Sequence, residues 1–294
     1  MKVAYYPGCT LKTSAKNLND SAVASLARLD LELEELPRWN CCGAVYSLAD
    51  DDLLHLVAPI RDLIRVADMG HDKVVTICSM CYNTLARANN LIRDDEEKRF
   101  TINSFMEEET DYTGQVEVIH LLPFLRDHVG WDKLKEKVTN PLKDLKVSPY
   151  YGCTLTRPKD IAIDSADNPT ILHDFLDALG AQVIDSPASI ECCGSYQILS
   201  NPEAAYKNVY KIVSTAQKRG AEALVSSCPL CEYSLGHRQK DSIDKFGQGE
   251  STVPTFYFTQ LLAIALGVDE KECHFDIGHE SSRELLSGKN LISA

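Results

Sequence analysis

The sequence predicts an α/β protein duplicated internally, its two parallel-sheet halves related by a pseudo-twofold axis. Three observations carry this. Ten of the eleven cysteines fall into two sets of the same form, short β-prone runs alternate with segments of helical period, and glycines punctuate both halves alike. The first set is Cys9, Cys41, Cys42, Cys78 and Cys81 and the second is Cys153, Cys192, Cys193, Cys228 and Cys231. Both read C, then CCG, then CxxC, with intervals of 31, 35 and 2 residues in one and 38, 34 and 2 in the other. Lys2-Val3-Ala4-Tyr5-Tyr6-Pro7-Gly8-Cys9-Thr10-Leu11 corresponds to Lys146-Val147-Ser148-Pro149-Tyr150-Tyr151-Gly152-Cys153-Thr154-Leu155. A length of 294 residues suits two units, 1–144 and 145–294.

Taken in order, residues 3–6, 31–36, 74–77 and 116–119 are β-prone runs of the first half. Leu53, Val57, Ile60, Ile64 and Ala67 recur at helical spacing between the second and third of these, and Pro59 within that stretch predicts a kink or an early break. In the second half Asn168-Pro169 opens a helix that Gly180 closes. Asn201-Pro202 opens another, whose face is Ala205, Val209, Ile212 and Ala216 and whose stop is Gly220. Gly70 and Gly220 each stand eight residues before their CxxC. Strand alternating with helix over short connections implies a Rossmann-like parallel sheet in each half. Cys9, Cys78, Cys153 and Cys228 then fall at strand carboxyl ends, where such sheets form their binding crevices. Each CxxC enters the following helix, whose N-terminus favours thiolates.

Composition excludes several classes. With 30 Lys and Arg against 43 Asp and Glu the formal charge is −13, which repels a polyanion and argues against nucleic acid. No signal-peptide pattern opens the chain and the longest apolar run, residues 261–268, is too short to span a bilayer, so the expectation is a cytoplasmic protein. Cytosolic thiols are kept reduced, which turns eleven cysteines toward metal binding or redox chemistry. A structural zinc ion wants four ligands and a cubane iron–sulfur cluster likewise takes four thiolates, so five per half overshoot both. Adjacent cysteines are poorly placed to fill two corners of one tetrahedron but can serve or bridge two different irons. The glycines behind them, Gly43 and Gly194, permit the tight turn this needs. Zinc in one half, a thioredoxin-like dithiol and plain buried thiols stay open as weaker readings.

On these residues the doubled pattern C, CCG, CxxC resembles the cysteine-rich CCG-domain family, and the layout through Leu266 is similar to the B subunits of the heterodisulfide reductase family. CCG proteins of lactate and glycolate oxidation and of anaerobic glycerol-3-phosphate dehydrogenase share the motif, but many also carry CxxCxxC runs that this sequence lacks. The resemblance implies two noncubane [4Fe-4S] clusters, one on each five-cysteine set. It further implies a catalytic role in reducing the coenzyme M–coenzyme B heterodisulfide in methanogenesis, the two clusters gripping one sulfur each. Partners implied are the ferredoxin-like C subunit and the flavin-containing A subunit of heterodisulfide reductase, with hydrogenase or formate dehydrogenase further away. A noncatalytic electron relay in a lactate or glycolate oxidation complex is the alternative, and a zinc-stabilised interaction module is a third.

Lys12, Arg157 and Lys159, just beyond Cys9 and Cys153, are the candidates for the sulfonate and phosphate of that substrate, with solvated surface charge the competing account. Cys273 with His274 and His279 lacks a fourth ligand for a metal, His120 reads as a satisfied core or loop histidine, and residues 278–294 read as a polar surface segment.

Overall fold

A computed structural model describes residues 1–44, 53–279 and 281–293. Strands β1 (Lys2–Tyr5), β2 (Glu32–Glu35), β3 (Lys73–Thr76) and β4 (Glu117–His120) form one sheet in the order β2-β1-β3-β4. Strands β5 (Lys146–Pro149), β6 (Gln182–Val183), β7 (Ala223–Ser226) and β8 (Thr255–Tyr257) form a second in the same permutation, β6-β5-β7-β8. Every pairing is parallel, for example Lys2 with Glu32 and Val147 with Ala223. The predicted duplication of an α/β unit is what the chain adopts. The strand order matters for function: the chain leaves β1 toward one edge and β3 toward the other, so their carboxyl ends part and open a crevice, and β5 and β7 repeat this.

Helices fill the connections: α1 (Lys16–Arg28), α2 (Val57–Asp68), α3 (Ser79–Asp94) and α4 (Glu96–Phe105) in the first half. After β4 come α5 (Leu121–Phe124) and α6 (Trp131–Lys137). The second half has α7 (Ile171–Ala178), α8 (Pro202–Lys218), α9 (Pro229–Glu232), α10 (Gln239–Phe246), α11 (Phe258–Ala265) and α12 (Ser282–Gly288). In α2 the predicted periodicity holds, with Ile60 and Ile64 fully buried. Pro59 does not kink it: a tighter turn over Leu53–Leu56 precedes the helix and places the proline in the first turn, where its missing N–H costs nothing. Asn201 caps α8 as expected, its side chain accepting from Ala204 N. Asn168 does not cap α7; the Asp164 carboxylate does so instead, accepting from Thr170 N at 2.6 Å and Ile171 N at 2.7 Å. An acceptor seven residues upstream has no local signature.

The halves share one core. Helix α1 of the first packs on α11 of the second, where Ser21 Oγ meets Thr259 Oγ1 at 2.7 Å and the Thr259 hydroxyl donates to Leu18 O. At the β3–α3 junction Ser79 N donates to Ser227 O and the two serine hydroxyls meet at 2.5 Å. Asn83 Nδ2 donates to the carbonyls of Thr154 and Arg157, and Tyr82 to that of Ile161. The stretch near residue 278 onward is not the featureless polar segment expected: α12 and the turn after it bury Ser282, Leu286 and Leu291, and Asn140 Nδ2 donates to Leu291 O. Leu285-Leu286 and Leu291-Ile292, set among polar residues, give too weak a pattern to read. Of that segment, residues 280 and 294 lie outside the described residues. Among the described residues no helix is long and apolar enough to cross a membrane.

Candidate metal centres

Each half gathers its five sulfurs into a chain of contacts, and the chain has the same order in both. In the first it runs Cys9, Cys41, Cys42, Cys81, Cys78, with 3.5 Å between Cys9 and Cys41 and 3.6 Å between Cys42 and Cys81. In the second it runs Cys153, Cys192, Cys193, Cys231, Cys228, with 3.6 Å between Cys193 and Cys231. These sit where the fold opens its crevices. Cys9 and Cys153 follow β1 and β5 by a short turn, and Cys78 and Cys228 are the residues from which α3 and α9 start.

Several main-chain features hold each set. Tyr6 Oη donates to Asn40 O at 2.7 Å and Tyr150 Oη to Glu191 O at 2.6 Å, so in both halves a buried tyrosine just past the first strand clamps the loop before the paired cysteines. Gly8 has φ +75°, and a Cβ on it would lie 2.7 Å from Cys81 Sγ; the counterpart Gly152 has φ +64° and would lie 3.5 Å from Cys231 Sγ. Gly43 and Gly194 both take positive φ, as the turn behind the paired cysteines requires. Cys228 Sγ accepts main-chain N–H bonds from Cys231 and Leu230 of its own helix and from Met80 of the other half.

The thiols settle one another's protons. Hydrogen bonds from Cys41 and then Cys81 draw Cys42 down to about 5, while the neighbours that keep their protons, Cys9 and Cys81, are pushed up. In the second half Cys153 and Cys193 draw Cys192 down. One sulfur of each pair thus ionises first, stabilised by S–H donors on either side, and loading a metal expels the remaining protons.

The residues fit a polynuclear iron–sulfur group. Thiolates about 2.3 Å from a common tetrahedral ion stand about 3.8 Å apart. The contacts here, at 3.5 and 3.6 Å, are close to that spacing. Yet among the described residues no three donors are assembled as a single-ion site, and a chain of five suits several metal ions sharing ligands. Ser195, directly behind Cys193-Gly194, is buried and its hydroxyl has no hydrogen-bond partner within the protein.

Two of the three predicted anion-binding side chains are already engaged within the protein. Lys12 Nζ pairs with Glu35 Oε2 at 2.5 Å, and Arg157 donates to the carbonyls of Ile190 and Ala166. Lys159 lies exposed on the turn Lys159–Ile161. Cys273, His274 and His279 diverge, toward Gln260 O, Asp20 and Ser281. His120 is fully buried and satisfied, bonding Ile77 O through Nε2 and accepting from Leu122 N at Nδ1. Two acids near the sites escape sequence reasoning. Asp62 Oδ1 accepts from Asn40 N beside Cys41, and burial pushes the carboxyl up to about 7 against the pull of that N–H and of Arg65. Burial likewise lifts Glu232, next to Cys231, to about 7. Neither stands at a repeated position: Tyr82 occupies the first half's counterpart of Glu232.

Comparison with known proteins agrees with this duplication. Residues 3–86 and 147–236 match the cysteine-rich domain family CCG. The 8-methylmenaquinol:fumarate reductase membrane anchor subunit of Wolinella succinogenes is 36% identical over 271 residues, 92% of this chain and 93% of that one. The B subunit of the ferredoxin/F420H2-dependent CoB-CoM heterodisulfide reductase of Methanosarcina acetivorans is 29% identical over 298 residues, 100% of this chain and 98% of that one. The fold recurs in a hypothetical protein from Helicobacter pylori at TM-score 0.76 and 12% identity, covering 95% of this chain and 51% of that one.

Proposed function

The chain belongs to the cysteine-rich CCG domain family, and from that premise we propose that it is an iron–sulfur oxidoreductase component holding two noncubane [4Fe-4S] clusters, one in each CCG domain, 1–144 and 145–294. Cys9, Cys41, Cys42, Cys78 and Cys81 would hold the first and Cys153, Cys192, Cys193, Cys228 and Cys231 the second. The observation that carries this is the pair of five-sulfur chains running in the same order at equivalent crevices. Such clusters supply one-electron redox chemistry.

The reaction we favour is reduction of the coenzyme M–coenzyme B heterodisulfide to two thiols, which takes up two electrons and two protons. Two relatives bearing that activity in their names support it, each 29% identical to this chain. The protein's own contribution is positioning. The Ser79–Ser227 contact and the Asn83 bonds lock the crevices to one another, so that both ends of one small substrate meet fixed walls. Lys159, exposed on the turn Lys159–Ile161, would meet an anionic substrate group. Electrons come from partner proteins, the ferredoxin-like C subunit and the flavin-containing A subunit, in a cytoplasmic complex.

A second reading is favoured by the 36% identity to a component of a menaquinol:fumarate reductase: here the chain relays electrons without touching the final substrate. Iron, sulfide and zinc analysis with EPR on anaerobic protein, with and without the heterodisulfide and coenzyme M, separates them. About eight irons and a signal changed by coenzyme M support cleavage at the clusters. About eight irons with a signal indifferent to both ligands leave the relay, and about four irons plus a zinc ion would overturn the two-cluster proposal.

A further inference from the structure

The two halves match so closely that their differences are informative, and one falls beside the second centre. Cys41-Cys42-Gly43-Ala44 corresponds to Cys192-Cys193-Gly194-Ser195. The main-chain donors are alike: Ala44 N–H bonds the sulfur of Cys42 and Ser195 N–H that of Cys193. The side chains differ, a methyl in one half and a hydroxyl in the other. Ser195 is only 8% exposed and its Oγ has no hydrogen-bond partner, although leaving a buried hydroxyl unpaired is costly. The Ser195 N–H bonds the sulfur of Cys193, so the residue stands beside the second centre, its hydroxyl free of any acceptor of the protein's own.

We propose that the Ser195 hydroxyl donates a hydrogen bond to a sulfur of the second centre and raises its reduction potential, one asymmetry between two centres whose cysteines run in the same order. The physical basis is elementary. Reduction adds negative charge to the group, a donor aimed at its sulfur stabilises the reduced form more than the oxidised form, and hydrogen bonds to sulfur are among the factors that set such potentials. Ala44 supplies no side-chain donor to the first centre. The inference rests on the reading of both five-cysteine sets as iron–sulfur ligands. Ser195 is a tuning residue that acts through the group it bonds, and is not itself a catalytic residue.

The test is a half-for-half exchange. Anaerobic wild-type, Ser195→Ala, Ser195→Thr and Ala44→Ser proteins are first assayed for iron and sulfide, then titrated potentiometrically with EPR and visible absorption as readouts. Ser195→Ala should lower one midpoint and leave the other in place, while Ser195→Thr, which keeps the hydroxyl, should restore it. Ala44→Ser should raise the other midpoint. An effect of about tenfold in electron partition is expected, which is about 59 mV for a one-electron couple. Full iron content with midpoints unmoved by Ser195→Ala would overturn this inference and leave the iron–sulfur reading standing. Absence of iron and sulfide from all four proteins would instead strike at that reading and remove the basis of this one.

Discussion

At the scale of single residues the site depends less on the cysteines themselves than on what lets them approach. Gly8 shows this best. Its φ of +75° disfavours any side chain, and a Cβ there would stand 2.7 Å from Cys81 Sγ, where a sulfur must sit to join Cys42. Gly8→Ala should therefore displace Cys81 and empty the first centre while the second, across the core, stays loaded. Iron analysis on anaerobic protein should show about half the wild-type iron, and an unchanged content would mean that Cys81 does not need the position it occupies. The tyrosine clamps are legible only in part. Tyr6 and Tyr150 stand out as members of the repeated segment, yet nothing in the sequence says that their hydroxyls reach the carbonyls of Asn40 and Glu191, 34 and 41 residues on. The ion pair of Lys12 is hidden from sequence reading for the same reason: its partner, Glu35, comes from the neighbouring strand.

At the scale of elements, the sequence is most legible where a structure closes on itself. Asn201 capping α8 and the glycines after α2 and α8 are local devices, and they stand where expected. Asp164 capping α7 and the serine–threonine contact between α1 and α11 are nonlocal, and patterning is silent about both. That second contact is testable. Ser21 and Thr259 are fully buried, and the threonine hydroxyl both meets Ser21 Oγ and donates to Leu18 O, joining the two halves through one side chain. Thr259→Val keeps the shape and removes both bonds, leaving Ser21 Oγ only the carbonyls of its own helix, Asn17 O and Leu18 O. Urea denaturation should show a loss of about 1–3 kcal/mol with the m-value unchanged. A loss of only a few tenths of a kcal/mol would mean that the hydroxyls contribute little to the junction.

At the scale of the whole molecule, buried titratable groups make global stability depend on pH. His120 is neutral in the folded core, burial holding its pKa down near 3 against about 6.5 in an unfolded chain. The unfolded state therefore binds the extra proton between those values, and the contribution of His120 is full above about 6.5 and fades as pH falls toward 3. Asp62, pushed up to about 7, acts the other way, its contribution present below about 4 and fading as pH rises to 7. Comparing His120→Gln with wild type cancels the acid. The destabilisation caused by the substitution should be largest at about pH 7.5 and shrink by about 1.4 kcal/mol per pH unit below about 6.5. Equilibrium unfolding of the metal-free protein at about pH 7.5, 5.5 and 4.5 measures it, and a destabilisation constant across that range would show that His120 does not take up the proton on unfolding.

The sequence by itself determined that the fold is a duplicated α/β unit and that ten cysteines form two equivalent sets, because repetition and the periods of strand and helix are properties of order along the chain. Only the tertiary structure decided what surrounds those sets. It linked the five sulfurs of each half in one order, paired Lys12 away, buried Asp62 and Glu232 beside the sites, left the Ser195 hydroxyl without a partner and folded the tail near Leu286 into the core. Each of these turns on residues brought together from distant parts of the chain, and such contacts are chosen by packing and by the balance of buried polar groups, which no local pattern records.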